Sequence, residues 1–344
     1  SFFNKEAIYY PAKDAIFYSA DVHGNQITGE RLRCISRIIN HSCTGEGVLT
    51  VVTTMDGIAD RLIPVERFKE AVITLDYSSE IEPEKLAKKL VAMGFVRTGM
   101  VEDKGQFAIR GGIIDIFSYT DEAPVRIELW DTEVDSIRMF DVESQRSIER
   151  LQSYSIFPAT EYIFTEDELK NGLYNIKEEC DRQLECFDYG KRKRTKEQIE
   201  AGNNLNKLVA DVERTGNYEK FTDTLVADTV GLAEYFPEEN TLVVLDEPNR
   251  LKECNELTLY EYNESMKNRL AAGYVLPSQT NKVKAMNEII SDLRNNKKLI
   301  LTTLDYKPEG FEIDYSMYIT ARSISSYNNS FEYLAKDLEK YKKN

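Results

Sequence analysis

Residues 105–117 read GQFAIRGGIIDIF, and residues 125–130 read VRIELW. In the second stretch each apolar residue is followed by a polar or aromatic one, so the two kinds point to opposite faces of a strand. Arg126 and Trp130 belong to the face that we expect to be exposed. The apolar set, which we expect in the core, is Val125, Ile127 and Leu129.

Strand patterns of this kind continue from Phe95 to about Pro158, separated by turn signals and with no convincing helix. They fill residues 105–119, 125–130, 134–142 and 151–157. Short strands joined by tight turns pair in antiparallel fashion. The stretch therefore predicts a compact antiparallel sheet.

On both sides of this sheet the pattern alternates between strands and helices, which is typical of a parallel α/β sheet. Strand patterns stand at residues 7–10, 48–52, 71–75, 241–245, 299–303 and 317–320. The spacing of Leu32, Ile35 and Ile39 places these residues on one face of a predicted helix. Thr165 and Glu168 form a capping-box pattern before another helix. We predict an α/β fold, a parallel-sheet domain interrupted by a small antiparallel β-domain.

The same patterns divide the chain into four ranges. Residues 1–78 form the first part of the α/β domain, and residues 79–158 form the inserted β-domain. Residues 159–330 form the second part, and residues 331–344 form a charged helical linker or the start of a further domain.

Composition narrows the class of protein. The 344 residues carry a formal net charge of −15, and such a surface repels phosphate backbones, which disfavours tight duplex binding by the whole chain. No apolar run approaches the roughly 18 residues that span a membrane, and no signal segment opens the chain. Because the first residue is Ser1 rather than methionine, we expect a piece of a larger protein.

The five cysteines are scattered, odd in number and without a C-x-x-C pair. This pattern disfavours disulfides and zinc, and indicates a reducing compartment, the cytoplasm. We interpret all five as buried, unreactive thiols. They are Cys34, Cys43, Cys180, Cys186 and Cys254.

Catalytic signatures are scarce. Neither a G-x-x-x-x-G-K-[ST] phosphate loop nor G-x-G-x-x-G occurs, and the two histidines, His23 and His41, stand in ordinary polar stretches. We therefore predict no catalytic residue and no metal site. One strand pattern, residues 242–247, ends in Asp246 and Glu247, as do the Mg²⁺-holding strands of P-loop ATPases. Without a phosphate loop, we interpret these carboxylates as structural or vestigial.

Trp130 is the only tryptophan, and it follows Arg126 on the polar face of its strand. A second arginine, Arg110, precedes the pair Gly111-Gly112, where a partner could approach the backbone. Tryptophan and arginine are the residues most enriched at interface hot spots. Two interpretations stay open for Trp130: it contacts a partner, or it packs under a neighbouring loop.

Residues 105–117, 125–131, 133–138, 140–141 and 144–147 resemble the second domain of UvrB and of the transcription-repair coupling factors in order and spacing. A weaker resemblance to the coupling factors covers residues 10–14, 29–32 and 51–55 and most of the carboxy-terminal half. The coupling factors fit better than UvrB, because UvrB carries a working phosphate loop and a long aromatic hairpin.

The resemblance implies a helicase-like, P-loop NTPase-like α/β domain that is degenerate, and an inserted domain that docks UvrA. The docking residues of the family, two arginines and an aromatic that is usually phenylalanine, carry over to Arg110, Arg126 and Trp130. Other domains of the parent protein would be further partners. RNA polymerase and DNA would be contacted, and ATP used, only through parts outside this chain. No cofactor and no membrane contact are expected.

Two other hypotheses stay open. The chain could be an ATPase or helicase half related to UvrB, which would require tight binding of Mg-nucleotide. It could also be a nucleic-acid-binding module resting on the one dense basic run, Lys191–Arg194, which we interpret as a solvated helix end.

Overall fold

The computed structural model describes residues 7–13, 21–45, 47–188, 194–226, 228–319 and 331–342. The chain divides into two compact units, Ser1–Glu309 and Gly310–Asn344. The first unit is a mixed α/β structure with both parallel and antiparallel strand pairs. The second contains one described helix.

The first part of the chain begins with a parallel strand pair and the helix that joins its strands. Its elements are β1 (Ala7–Tyr10), α1 (Asp21–Thr44), β2 (Thr50–Thr53), α2 (Met55–Ile58), α3 (Val65–Ala71) and β3 (Ile73–Asp76). Leu32, Ile35 and Ile39 are buried on one face of α1, as their spacing predicted.

The inserted region is a six-stranded sheet whose strands follow chain order. Its elements are α4 (Pro83–Ala92), β4 (Val96–Arg97), β5 (Gln106–Arg110), β6 (Ile113–Phe117), β7 (Val125–Trp130), β8 (Glu133–Phe140) and β9 (Ser147–Arg150). All pairs are antiparallel except β4 with β5. The predicted antiparallel sheet is confirmed, and β9 is a strand that the pattern did not indicate.

One face of this sheet forms a core with α4. Val125 and Ile127 are buried there as predicted, whereas Leu129 is only partly buried. A further strand, β10 (Ser153–Ile156), follows the sheet and pairs with β3 in antiparallel fashion. The expectation that the strand near residues 71–75 joins a parallel sheet is therefore wrong, because the returning chain meets it from the opposite direction.

Helices dominate after β10. The elements are α5 (Glu166–Asp188), α6 (Lys196–Thr215), α7 (Thr222–Leu225), β11 (Leu242–Asp246), α8 (Pro248–Ala271), α9 (Met286–Asp292) and β12 (Lys297–Leu301). β11 and β12 pair in parallel. The predicted capping box is confirmed, since Thr165 and Glu168 exchange backbone-to-side-chain hydrogen bonds of 2.9 and 3.2 Å.

The second unit contains α10 (Phe331–Tyr341), which confirms the predicted helix at the end of the chain. The strand predicted at residues 317–320 is wrong for Met317–Ile319, which have no strand beside them among the described residues and are exposed. Thr320 lies outside the described residues.

A buried ion cluster joins distant segments of the first unit. Arg31 of α1 is fully buried and binds Glu161, which follows β10, through contacts of 2.8 and 3.2 Å. It also pairs with Asp60 at 2.8 Å, just after α2. Lys13, just after β1, completes the cluster at 2.8 Å from Glu161. Four segments of the chain thus meet at a cluster of two basic and two acidic side chains.

The charged state of this cluster follows from its contacts. Burial acts to raise the pKa of Glu161, but attraction to Arg31 and Lys13 outweighs it and lowers that pKa to about 2. Burial raises the pKa of Asp60, and the attraction to Arg31 does not offset this rise. Glu161 is therefore the carboxylate on which the cluster depends.

We expect Glu161→Gln to lower the free energy of unfolding by about 3 kcal/mol or more, because it leaves Arg31 buried without its main partner. Urea titration followed by circular dichroism measures this loss. The control is Glu82→Gln, which removes an exposed pair with Lys85 and should cost less than about 1 kcal/mol. Equal losses for both variants would contradict the role of the cluster.

The free energy of unfolding of Glu161→Gln should also depend less on pH than that of the unchanged chain. The pKa of Glu161 is depressed in the folded chain, so its contribution is present above the ordinary carboxyl pKa of 4.5 and is lost as pH falls toward about 2. Stability should therefore fall less between pH 5 and pH 3 in Glu161→Gln than in the unchanged chain.

Candidate functional site

The outer face of the six-stranded sheet, opposite α4, carries the arginines singled out in the sequence. Arg110 ends β5, and the two-residue turn Gly111-Gly112 leads into β6. Gly111 has φ +61°, a conformation that favours glycine. A Cβ on Gly112 would lie 2.9 Å from the carbonyl oxygen of Leu129 in β7. Gly111 therefore allows the tight hairpin turn, and Gly112 allows β7 to pass close to the backbone.

A single carboxylate holds both arginines. Asp115 of β6 lies directly opposite Arg126 of β7 and is 1% exposed. Its Oδ2 accepts from Nη2 of Arg110 at 2.6 Å, and its two oxygens accept from Nε and Nη2 of Arg126 at 2.6 and 2.9 Å. Two-pronged pairing of this kind fixes the plane of a guanidinium as well as its position. The structure thus brings Arg110 and Arg126 together.

Arg126 is held on further sides. Its Nη2 donates to Oε1 of Gln145 at 2.8 Å, and its guanidinium lies 4.3 Å from the ring centre of Phe140. The hydrogen bonds to Asp115 raise the pKa of Arg126 above its ordinary value. Only 12% of its side chain is exposed, so the prediction of an exposed Arg126 is wrong. The alternating pattern predicted the correct face for Arg126, but Asp115 and the ring of Phe140 cover most of its side chain.

Trp130 ends the same strand and is 80% exposed. The prediction of an exposed Trp130 is confirmed, and the alternative in which it packs under a loop is wrong. The register shift beside Leu129 places the extra residue on β8, so β7 keeps its alternation and Trp130 stays on the face of Arg126. Its indole is available to a partner without any rearrangement of the chain.

Sequence reasoning missed three residues of this site, namely Asp115, Phe140 and Gln145. Asp115 did carry a signal, since it is a lone carboxylate inside the apolar run IIDIF. Gln145 carried none, because its position depends on a turn in which it takes φ +57°. That turn is closed by Ser144, whose backbone and hydroxyl both donate to Asp141.

One of the two carboxylates at the end of β11 takes part in a loop contact. Glu247 has φ +51° and precedes α8, and one of its side-chain oxygens accepts from the backbone N–H of Thr303 at 2.6 Å. The hydrogen bonds from Thr303 lower the pKa of Glu247. Glu247 thus ties the end of β11 to the stretch that follows β12, whereas Asp246 is exposed.

The other candidate residues are dispersed. Among the described residues no group of three histidine, cysteine or acidic side chains could hold a metal ion. Cys34 and Cys180 are buried, and burial raises the pKa of the Cys34 thiol to about 12. Cys43, Cys186 and Cys254 are exposed, so the interpretation of all five as buried is wrong. The side chain of His23 and residues Lys191 to Lys193 of the basic run lie outside the described residues.

Known proteins resemble this chain both in the inserted region and along its length. Residues 73–162 match the UvrB interaction domain. The chain is 31% identical over 350 residues to the transcription-repair-coupling factor of Bacillus subtilis strain 168, a match that covers 99% of this chain. It is 31% identical over 270 residues to the factor of Staphylococcus haemolyticus strain JCSC1435, and 32% identical over 270 residues to that of Staphylococcus epidermidis strain ATCC 12228.

The chain is homologous to the transcription-repair-coupling factors. It spans about a quarter of the length of these relatives, 28% of the Bacillus subtilis protein and 22% of each staphylococcal one. The resemblance drawn from residues 105–147 is thereby confirmed.

The UvrB interaction domain match runs from the first residue of β3 to Tyr162, just after Glu161. It therefore contains the whole six-stranded sheet and the separate β3–β10 pair. The outer-face cluster, which consists of Arg110, Asp115, Arg126 and Trp130, lies wholly within this match. In the described part of the chain, no helix is both long and apolar enough to cross a membrane.

Proposed function

We propose that this chain is the amino-terminal, UvrB-like region of a transcription-repair coupling factor and recruits UvrA without catalysing a reaction itself. The observation that carries the proposal is the outer-face cluster, in which Arg110 and Arg126 share Asp115 on the face that exposes Trp130. It lies in the range that matches the UvrB interaction domain.

The chemistry of the cluster suits a protein interface. Arg110 keeps 43% of its side chain exposed while one nitrogen is bound to Asp115, so its other donors can reach a partner carboxylate. Both arginines are already oriented, so little side-chain entropy remains to be lost on binding. The exposed indole adds a large rigid apolar surface. Together they have the composition of a hot spot.

The rest of the chain has a supporting role in this proposal. The segments 1–78 and 159–330 would form a degenerate, helicase-like α/β domain that carries the inserted domain 79–158, with 331–344 leading onward. RNA polymerase, DNA and ATP would be bound by parts of the parent protein outside these residues. Cytoplasmic action without a membrane partner fits a factor that works on transcribed DNA.

Truncation of a hot-spot residue should weaken UvrA binding strongly. We expect Arg110→Ala, Arg126→Ala and Trp130→Ala each to cost about 2 kcal/mol or more, which is about thirtyfold in affinity. Each arginine is changed alone, because loss of both would leave the buried Asp115 without a cation. Trp130→Phe should bind nearly as well as the unchanged chain, since an aromatic ring remains. Calorimetric titration with the cognate UvrA measures all four.

The matched control is Arg97→Ala, an exposed arginine on β4 that pairs with Glu84. Its affinity should equal that of the unchanged chain, and thermal unfolding should show every variant folded. Equal, small effects of all the variants would place the docking site elsewhere.

We also propose that the chain needs no cofactor and that Asp246 and Glu247 are vestigial. The contact of Glu247 with Thr303 supports a structural role for that carboxylate. Titration with Mg-ATP should show no saturable binding in the micromolar range. Micromolar binding that disappears in Asp246→Ala would contradict this proposal and favour the ATPase alternative.

A further inference from the structure

The outer face of the sheet carries a row of charged residues that crosses four strands. Asp115 of β6 lies opposite Arg126 of β7, Arg126 lies opposite Arg138 of β8, and Arg138 lies opposite Arg150 of β9. Residues directly opposite in antiparallel pairs share a face. Three arginines therefore stand side by side on three adjacent strands.

Such a row carries a cost within the fold. Like charges directly opposite each other destabilise a strand pair, and here two consecutive pairs are arginine with arginine. Each of the first two arginines has a carboxylate partner, which reduces this repulsion. Arg126 pairs with Asp115, and Arg138 pairs with Glu128. The Arg150 side chain makes no hydrogen bond or ion pair with the residues that the structure describes.

Arg150 also differs in exposure. All four residues of β9 are exposed, and among the described residues the strand pairs only with β8. A charge on an edge strand can serve to prevent pairing with other chains. Either sign of charge would do that, so edge protection does not account for arginine at three successive positions of one row.

We propose that Arg138 and Arg150 extend the docking surface of Arg110, Arg126 and Trp130 to the β9 edge, where the row receives a line of carboxylates on an acidic protein partner. The proposal rests on the proposed function, since it assumes that this face docks a protein. Adjacent strands lie about 4.8 Å apart, which sets the spacing of the row. Carboxylates on successive turns of a helix have a spacing of about 5–6 Å and would match it.

The charge of the whole chain favours protein carboxylates over nucleic acid. With a net charge of −15, the remainder of the surface repels a long polyanion, whereas a local acidic patch can meet the row alone. Within the chain the guanidiniums of Arg126 and Arg138 already pair with carboxylates, so their geometry suits that group.

The test compares Arg150→Ala and Arg150→Glu with the matched control Arg97→Ala. We expect Arg150→Ala to weaken binding of the cognate UvrA about threefold to tenfold, as an exposed interface charge does. Arg150→Glu should weaken it at least about tenfold more, because it places like charges together. The losses should shrink as salt is raised, and Arg97→Ala should change nothing. Arg150 is exposed and makes no side-chain pair among the described residues, so we expect both variants to fold.

The outcomes separate the two proposals. If Arg126→Ala weakens binding and Arg150→Glu does not, the extension is wrong and the docking function stands. If neither variant weakens binding, the face is not the docking surface and both fail. Should Arg150→Glu instead abolish binding of a labelled DNA duplex and leave UvrA binding unchanged, the row would belong to nucleic acid and the proposal would be overturned.

Discussion

The buried guanidinium of Arg31 is the point at which separate segments of the first unit meet. Its pairs with Glu161 and Asp60 link α1 to the end of α2 and to the chain returning from the sheet. Replacing such pairs with apolar residues can be neutral or stabilising, whereas removing one partner is strongly destabilising, so the segments depend on both partners being present. Because the chain that leaves the sheet passes through Glu161, the inserted sheet and the α/β elements share one anchor.

Asp115 plays the same part on the outer face of the sheet. It is a buried carboxylate whose cost of desolvation is offset by two guanidiniums, one of them two-pronged. These contacts in turn restrict both arginine side chains to few conformations. Trp130 needs no such support, since it stands exposed at the end of a paired strand. The same fold therefore produces oriented cations and an accessible ring on one face.

The sequence predicted what depends on local pattern. Alternation in VRIELW assigned the faces of β7, and helical spacing assigned the buried face of α1. It did not predict what depends on distant partners. The antiparallel pairing of β3 follows from where β10 returns, and the cover over Arg126 follows from the register that sets Asp115 opposite it. Family resemblance supplied Arg110, Arg126 and Trp130 as a set, whereas their shared carboxylate required the structure.

The central claim is that a partner docks on the outer face of this sheet, and hydrogen exchange of the chain with and without UvrA tests it most directly. Amides in the exposed turns and edge of that face exchange fastest and report contact best. The account predicts slower exchange on binding at the Gly111-Gly112 turn, at the Asp131-Thr132 turn and in β9, with α5, α6 and α8 unchanged. Protection confined to those helices, with the sheet unaffected, would contradict it.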